Sequence, residues 1–121
     1  MTEKVVPMLH VPDVRATAEW YRQIGFTVEG THEDDGVLSW ALLSFGTGEV
    51  MLNEGGRPST SHRREVDLYV HTDDVEALYR RLKDRVEIVE ELYETPYGAR
   101  EFIIRDLNRF WVSFGQFAAT R

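Results

Sequence analysis

The sequence contains one short stretch twice, and this internal repeat limits the fold more than any other pattern in the chain. The first copy, 10–14, reads His-Val-Pro-Asp-Val, and the second, 71–75, reads His-Thr-Asp-Asp-Val, 61 positions later (71 − 10). Each copy follows an apolar run typical of a strand and precedes a run with helical periodicity. Two copies in a chain of 121 residues do not make a solenoid. They predict one domain, 1–121, built from two related units.

Both units are predicted to follow the order β-α-β-β-β. In the first unit, about 1–54, we expect a helix at 14–24 and strands at 4–11, 26–28, 37–45 and 49–53. In the second unit, about 65–121, we expect a helix at 74–84 and strands at 65–71, 86–92, 100–105 and 110–117. Asp13 and Asp73 are predicted to cap the helices, and Gly25 to end the first one. The linker, 55–64, has no apolar residue to bury and is predicted to be mobile.

Alternation of side chains along the strands separates a core face from a second face. In the last strand, Phe110, Val112 and Phe114 are predicted to enter the core, so Trp111 and Ser113 point the other way. The same alternation elsewhere gives a second face that is too aromatic for a solvated surface and too polar for a core. Such a lining is typical of a ligand cleft. We predict that it comprises Met8, His10, Trp40, Glu49, Met51, Asp67, Tyr69, Trp111 and Ser113.

Other interpretations of these residues stay open. Trp40 and Trp111 can equally pack at a dimer contact. His10 can bond to the backbone at a strand end, and the acidic residues can be solvated rather than form a negative floor for a cation.

The charge balance favours some partners over others. Fourteen basic and 21 acidic residues give a net charge of −7, which argues against nucleic acid and anionic membranes and fits a cationic ligand or simply a solvated acidic surface. There is no cysteine, which excludes disulfides and Cys-zinc sites. No apolar run has the length of a membrane-spanning helix, and the N-terminus lacks a signal-peptide pattern. We expect a cytoplasmic protein.

Three groups of residues carry a family resemblance: 11–14 with 20–21 and 24–26; Leu-Ser-Phe-Gly at 43–46; and Gly-Ala-Arg-Glu-Phe at 98–102, followed by Arg105-Asp106. In this order and spacing they resemble the vicinal oxygen chelate superfamily, which includes glyoxalase I, extradiol dioxygenases and bleomycin resistance proteins. The stretches 5–9 and 99–102 are most similar to the bleomycin resistance branch. The resemblance implies an α+β fold of two tandem βαβββ modules that form curved mixed sheets around a cleft.

The sequence departs from this family at two places. Metal-dependent members place four ligands at positions that correspond to Val6, Met51, Asp67 and Ser113, and here too few of these can bind a divalent metal. We therefore expect no metal and no other cofactor. The last turn, usually Asp-Pro-x-Gly, reads Asp-Leu-Asn-Arg at 106–109, and Asn108 is predicted to supply its left-handed residue.

We favour a metal-free binding protein of the bleomycin resistance type, which sequesters a cationic or aromatic small molecule such as a bleomycin-type antibiotic. Cation–π and stacking contacts would hold such a molecule. The alternative is a lyase, isomerase or dioxygenase-like enzyme with Asp67, Glu49 or His10 as general base. A third class is a structural or regulatory module without a ligand.

We also predict a homodimer with its cleft at or near the subunit contact. Pro7 lacks a backbone N–H and so indicates a strand at a sheet edge or module boundary. The aromatic lining is large for a 14 kDa monomer to expose. The resemblance to bleomycin resistance proteins points the same way.

Overall fold

Both halves of the chain fold as the same β-α-β-β-β unit, and the computed structural model describes residues 3–117 of them. The boundary lies between Ser59 and Thr60. The first unit contains β1 (Met8–His10), α1 (Val14–Gln23), β2 (Thr27–Asp34), β3 (Val37–Phe45) and β4 (Gly48–Asn53). The second contains β5 (Asp67–His71), α2 (Val75–Leu82), β6 (Glu87–Glu94), β7 (Ala99–Arg105) and β8 (Trp111–Phe117). The predicted α+β class and element order are confirmed.

Each unit has one four-stranded mixed sheet, with the order β1-β4-β3-β2 in the first and β5-β8-β7-β6 in the second. The first strand of each unit pairs in parallel with the last, and the other pairs are antiparallel. β1 therefore lies at a sheet edge, as Pro7 predicts. It is shorter than the predicted strand because proline cannot donate to the ladder, although the Pro7 carbonyl still accepts a bond of 2.9 Å from the Met51 N–H.

Each core lies between one helix and one sheet. In the first unit α1 packs on β2, β3 and β4, and the fully buried ring of Tyr21 meets Phe26 edge-on at 5.1 Å. In the second unit α2 packs on β7 and β8, and Phe102 stacks on Phe114 at 5.0 Å. Neither helix, within the described part of the chain, is long and apolar enough to cross a membrane.

The two helices begin at aspartate caps, and the second cap differs from the predicted one. Asp13 accepts a bond of 2.9 Å from the Ala16 N–H, as predicted. In α2 the cap is Asp74, which accepts from Ala77 at 3.0 Å, so the prediction of Asp73 is wrong. The reason lies on β8, where the Gln116 side chain binds the Asp73 carbonyl at 2.6 Å and the Val75 N–H at 2.9 Å. These two bonds hold the residues on either side of Asp74, so Asp74 takes the cap position.

The segment predicted to be a mobile linker is held at both ends by polar contacts. At its start the Gly56 N–H donates to the Val11 carbonyl at 3.2 Å. At its end Arg64 donates to the Asn108 carbonyl at 2.9 Å, and its guanidinium lies 4.4 Å from the centre of the Phe110 ring. A search for apolar residues overlooks such anchors because they use backbone carbonyls and cation–π contacts.

The turn between β7 and β8 is organised by a buried carboxylate. Asp106, only 4% exposed, accepts from the N–H groups of Asn108 at 2.7 Å and Phe110 at 2.9 Å. The left-handed residue is Arg109, with φ 74°, so the prediction that Asn108 takes this conformation is wrong. The two bonds to Asp106 hold the residues on either side of Arg109, and the chain reverses direction there.

Arg109 should therefore be more tolerant of glycine than of alanine. Both variants remove the guanidinium, which donates to the Ser61 carbonyl, but only alanine keeps a Cβ in the left-handed region. We expect Arg109→Gly to be more stable than Arg109→Ala by about 1 kcal/mol in urea unfolding. The matched control is position 108, whose φ is not positive, where Asn108→Gly should be less stable than Asn108→Ala. If glycine were more stable than alanine at both positions, Arg109 would not be the left-handed residue of the turn.

Candidate functional site

Five of the predicted ligand residues, with Glu49 among them, share the face of the first sheet that is opposite the core. In the strand register Met8 lies beside Met51, and both His10 and Trp40 lie beside Asn53. Residues that are aligned across a ladder point to the same side of the sheet. Their strand neighbours, including Leu9, Ala41 and Leu52, are buried in the core. This face thus carries two thioethers, an imidazole and an indole in adjacent rows.

His10 has a defined tautomer on this face. Its Nδ1 lies 3.0 Å from the Glu54 carbonyl, which can only accept a hydrogen bond, so Nδ1 carries the proton. In the neutral ring Nε2 therefore keeps a free lone pair. Glu49 lies on the same face, two residues before Met51 on β4, and forms an ion pair of 2.6 Å with Lys4.

The other four predicted residues share the corresponding face of the second sheet. Asp67 lies beside Trp111, and Tyr69 lies beside Ser113. The strand neighbours Val70, Val112 and Phe114 are buried in the core. In each unit, the predicted residues therefore lie together on the face of their own sheet that is opposite the core.

A residue of the linker already occupies part of the second face. Arg63 forms an ion pair with Asp67, in which Nε lies 3.3 Å from Oδ1. The Arg63 guanidinium also lies 4.1 Å from the centre of the Trp111 ring. Trp111 is fixed in turn by a bond of 3.2 Å from its indole N–H to the His62 carbonyl. Trp111 and Asp67 thus hold a cation that belongs to the chain itself.

The most enclosed acidic group on this face is one that the sequence analysis missed. Glu101, on β7, is 3% exposed, and its Oε2 accepts hydrogen bonds from the hydroxyls of Tyr69 at 2.5 Å and Tyr97 at 2.6 Å. Strand alternation would have found it, because the core residues Phe102 and Ile104 direct Glu101 to the other side.

The Glu101 carboxylate changes the acidity of both phenols. Burial, and then the hydrogen bond to Glu101, raise the pKa of Tyr69 above its ordinary value. The hydrogen bond to Glu101 is the largest cause that raises the pKa of Tyr97. Hydrogen bonding of a neutral donor to a carboxylate has this direction because it stabilises the protonated phenol.

Gly115 creates the space that Tyr69 occupies. It lies on β8 between His71 on one neighbouring strand and Glu101 on the other. A Cβ at this position would lie 2.7 Å from Cζ of Tyr69, and closer still to its hydroxyl. A side chain here would therefore displace the phenol from Glu101.

The side chains on the two faces do not fit a metal ion. In β1 the neighbour of Met51 is Met8 rather than Val6, and in β5 the neighbour of Ser113 is Tyr69 rather than Asp67. Across residues 3–117, no three His, Cys, Asp or Glu side chains come together in a group that could hold a metal. Divalent ions need several nitrogen, oxygen or thiolate ligands.

The first unit also has a surface pocket of about 350 Å³, and none of the predicted ligand residues is among its lining residues. It lies at the start of α1 and the turn between β2 and β3, and is lined by Pro12, Asp13, Val14, Arg15, Gly36, Val37, Leu38 and Glu54. Because Asp13 is already used as a helix cap and the pocket contains no aromatic side chain, we place the candidate site on the sheet faces instead.

The chain belongs to the Glyoxalase/Bleomycin resistance protein/Dioxygenase superfamily, whose family model matches residues 5–114. The resemblance inferred from the sequence is thereby confirmed. None of the curated proteins matches the chain.

Several solved structures share this fold over almost the whole chain. TioX from Micromonospora sp. ML1 is 24% identical, with a TM-score of 0.80, over 97% of this chain and 100% of that one. A bleomycin-binding protein complexed with bleomycin is 18% identical, with a TM-score of 0.73, over 97% and 100%. TnmS3, an antibiotic binding protein from Streptomyces sp. CB03234, is 21% identical, with a TM-score of 0.68, over 98% and 99%. At these identities the likeness establishes the fold.

The tyrosines on Glu101 provide a test of this arrangement by pH titration. We expect Tyr69 and Tyr97 to ionise above the ordinary value of about 10, and Glu101→Gln to lower both pKa values. The folded protein holds these protons more tightly than the unfolded chain. Their contribution to stability is therefore complete below about pH 10 and is lost as the pH rises through the folded pKa values.

Absorbance at 295 nm and urea unfolding at increasing pH measure the two effects. Tyr79 is an internal control, because its pKa is raised by the hydrogen bond to Glu91 and should not respond to Glu101→Gln. Identical titrations of the wild type and Glu101→Gln would contradict the arrangement.

Proposed function

We propose that this protein binds and sequesters a small molecule with cationic and aromatic character, without using a metal ion. The observation that carries the proposal is the placement of the Arg63 guanidinium between Trp111 and the carboxylate of Asp67. A cation over an indole and beside a carboxylate is stabilised by the ring quadrupole and by charge. The same groups can receive a ligand cation of similar shape.

Two further features support a ligand of this class. The net charge of −7 attracts cations to the protein as a whole. The first sheet, taken by itself, carries a face with Met8, Met51, His10 and Trp40, whose side chains are suited to contact with an aromatic group.

The solved structures of similar fold favour an antibiotic as the ligand. One is a bleomycin-binding protein in complex with bleomycin, and another is described as an antibiotic binding protein. Bleomycin-type antibiotics are therefore the first candidates, and protection from such a compound would be the biological role.

A second candidate function is a metal-independent enzyme with a general base, and one observation favours it. Of the three predicted bases, Glu49 is paired with Lys4 and Asp67 with Arg63. His10 differs from both: its Nδ1 donates to the Glu54 carbonyl, and no residue among 3–117 binds its Nε2, which can act as the base. Conversion of a bound ligand that is lost in His10→Gln, with binding retained, would favour the enzyme.

Binding is tested by thermal unfolding in the presence of aromatic cations, including bleomycin. A ligand at 100 times its Kd should stabilise the protein by about 2.7 kcal/mol. Because no metal is required, prior dialysis against EDTA should leave the shift unchanged. Elemental analysis should find no stoichiometric zinc, nickel, iron or manganese.

The matched comparison is a neutral analogue of each ligand, which should raise the unfolding temperature less than the cation does. Equal shifts for charged and neutral analogues would remove the cationic part of the proposal. A shift that appears only with added divalent metal would remove the metal-free part.

We also propose that the protein is a homodimer. Met8, Val37 and Tyr93 remain 45%, 63% and 39% exposed, and a partner subunit would shield such apolar groups. Sedimentation equilibrium at micromolar concentration should give a species of twice the 14.0 kDa chain mass. A single species at the chain mass would refute the dimer.

A further inference from the structure

The Glu101 carboxylate is a buried negative charge without a cationic partner in the described part of the chain. It is 3% exposed, and no lysine or arginine among residues 3–117 forms an ion pair with it. The other buried charged groups are compensated. Arg105 is paired with Glu87, and Asp106 accepts two backbone N–H groups. A buried carboxylate that only phenols contact is costly unless a positive charge is supplied from outside the chain.

Four aromatic side chains form a series of ring contacts whose two ends meet at this carboxylate. The Tyr69 and His71 rings are 5.1 Å apart, His71 and Phe117 are 5.7 Å apart, and Phe117 and Tyr97 are 6.2 Å apart. The two ends of this series, Tyr69 and Tyr97, both donate to Oε2 of Glu101. Because Tyr69 and Tyr97 are about half exposed while Glu101 is buried, the rings form the rim of a cup with the carboxylate at its base.

We propose that this cup, formed by Tyr69, His71, Tyr97, Glu101 and Phe117, binds the protonated amine of an aromatic ligand. The inference rests on the proposed binding function and assigns a second position for a positive charge, distinct from the one that Arg63 occupies beside Trp111 and Asp67. An ammonium group is attracted both by the carboxylate and by the faces of surrounding rings.

The hydrogen bonds of Glu101 distinguish an ammonium ion from a guanidinium ion. Both phenols bind Oε2, and Oε1 accepts no hydrogen bond from the described residues. A guanidinium ion binds a carboxylate best through both oxygens, whereas an ammonium ion needs only one. The cup therefore prefers an amine to a guanidine of the same size.

The decisive experiment compares 2-phenylethylamine with 2-phenylethanol by calorimetric titration of the full chain near neutral pH. The amine is protonated there, and the two molecules differ mainly in charge. We expect the amine to bind about tenfold or more tightly, since a hydrogen bond between charged groups contributes about 1.5–3 kcal/mol. Equal affinities, or no measurable binding of the amine, would overturn the proposal without the need for any variant.

Two variants then test the role of Glu101 itself. Glu101→Gln keeps the size of the side chain and should abolish the preference for the amine. Glu90→Gln removes the same charge from an exposed residue of β6, whose register neighbour is Ile103, and should keep the preference. A preference that survives Glu101→Gln overturns the proposal.

The exposed Tyr97 gives a variant with little risk to folding. Tyr97→Phe frees one acceptor site on Oε2, so the preference for 2-phenylethylamine over 2-phenylethylguanidine should narrow. An unchanged preference would refute the geometry of the cup.

Failure of the Glu101 cup can be distinguished from failure of the proposed antibiotic binding. Bleomycin binding that is unchanged in Glu101→Gln would remove the cup and leave the binding function. Glu101-dependent binding of the amine, without binding of any antibiotic, would keep the cup and remove the antibiotic as the proposed ligand.

Discussion

In each unit the first strand hydrogen-bonds in parallel with the last, and this pairing determines where everything else lies. A parallel partner cannot be reached by a tight turn. In both units a helix first carries the chain from this strand to the opposite edge of the sheet, and two further strands return it. The helix covers one face of the sheet, and the remaining two strands extend the sheet away from the edge strand. The opposite face is then free to carry side chains that a core would exclude, including Trp40 in the first unit and Glu101 in the second.

Most of the fold follows from patterns that are local in sequence. The repeated stretch at 10–14 and 71–75 predicts two similar units, and period-two alternation places Trp40 and Trp111 on the face opposite the core. Asp13 and Gly25 mark the ends of the first helix because cap geometry depends on neighbouring backbone groups. These predictions hold because a few adjacent residues decide the outcome in each case.

The features that the sequence does not reveal depend on residues distant in the chain. Asp74 becomes the cap of α2 because Gln116 holds the residues beside it. Arg63 reaches Trp111 from a segment that has no secondary structure, so no periodicity predicts the contact. Alternation places Glu101 on the face opposite the core, but its hydrogen bonds with Tyr69 and Tyr97, which lie on other segments, become visible only in the structure. Long-range polar contacts of this kind have no short sequence signature.

The contact of Arg63 with Trp111 has a consequence for how affinity should respond to salt. A cationic ligand that takes the place of Arg63 exchanges one ion pair for another, so the number of ion pairs at Asp67 stays the same. Such an exchange is nearly insensitive to ionic strength. The apparent affinity of the ligand is the intrinsic affinity multiplied by the fraction of molecules in which Arg63 has left Trp111 and Asp67. Binding at Glu101, by contrast, adds an ion pair where none existed, so added salt weakens it, although less than at an exposed acid because Glu101 is buried. The salt dependence of a ligand thus reports which of the two acids it reaches.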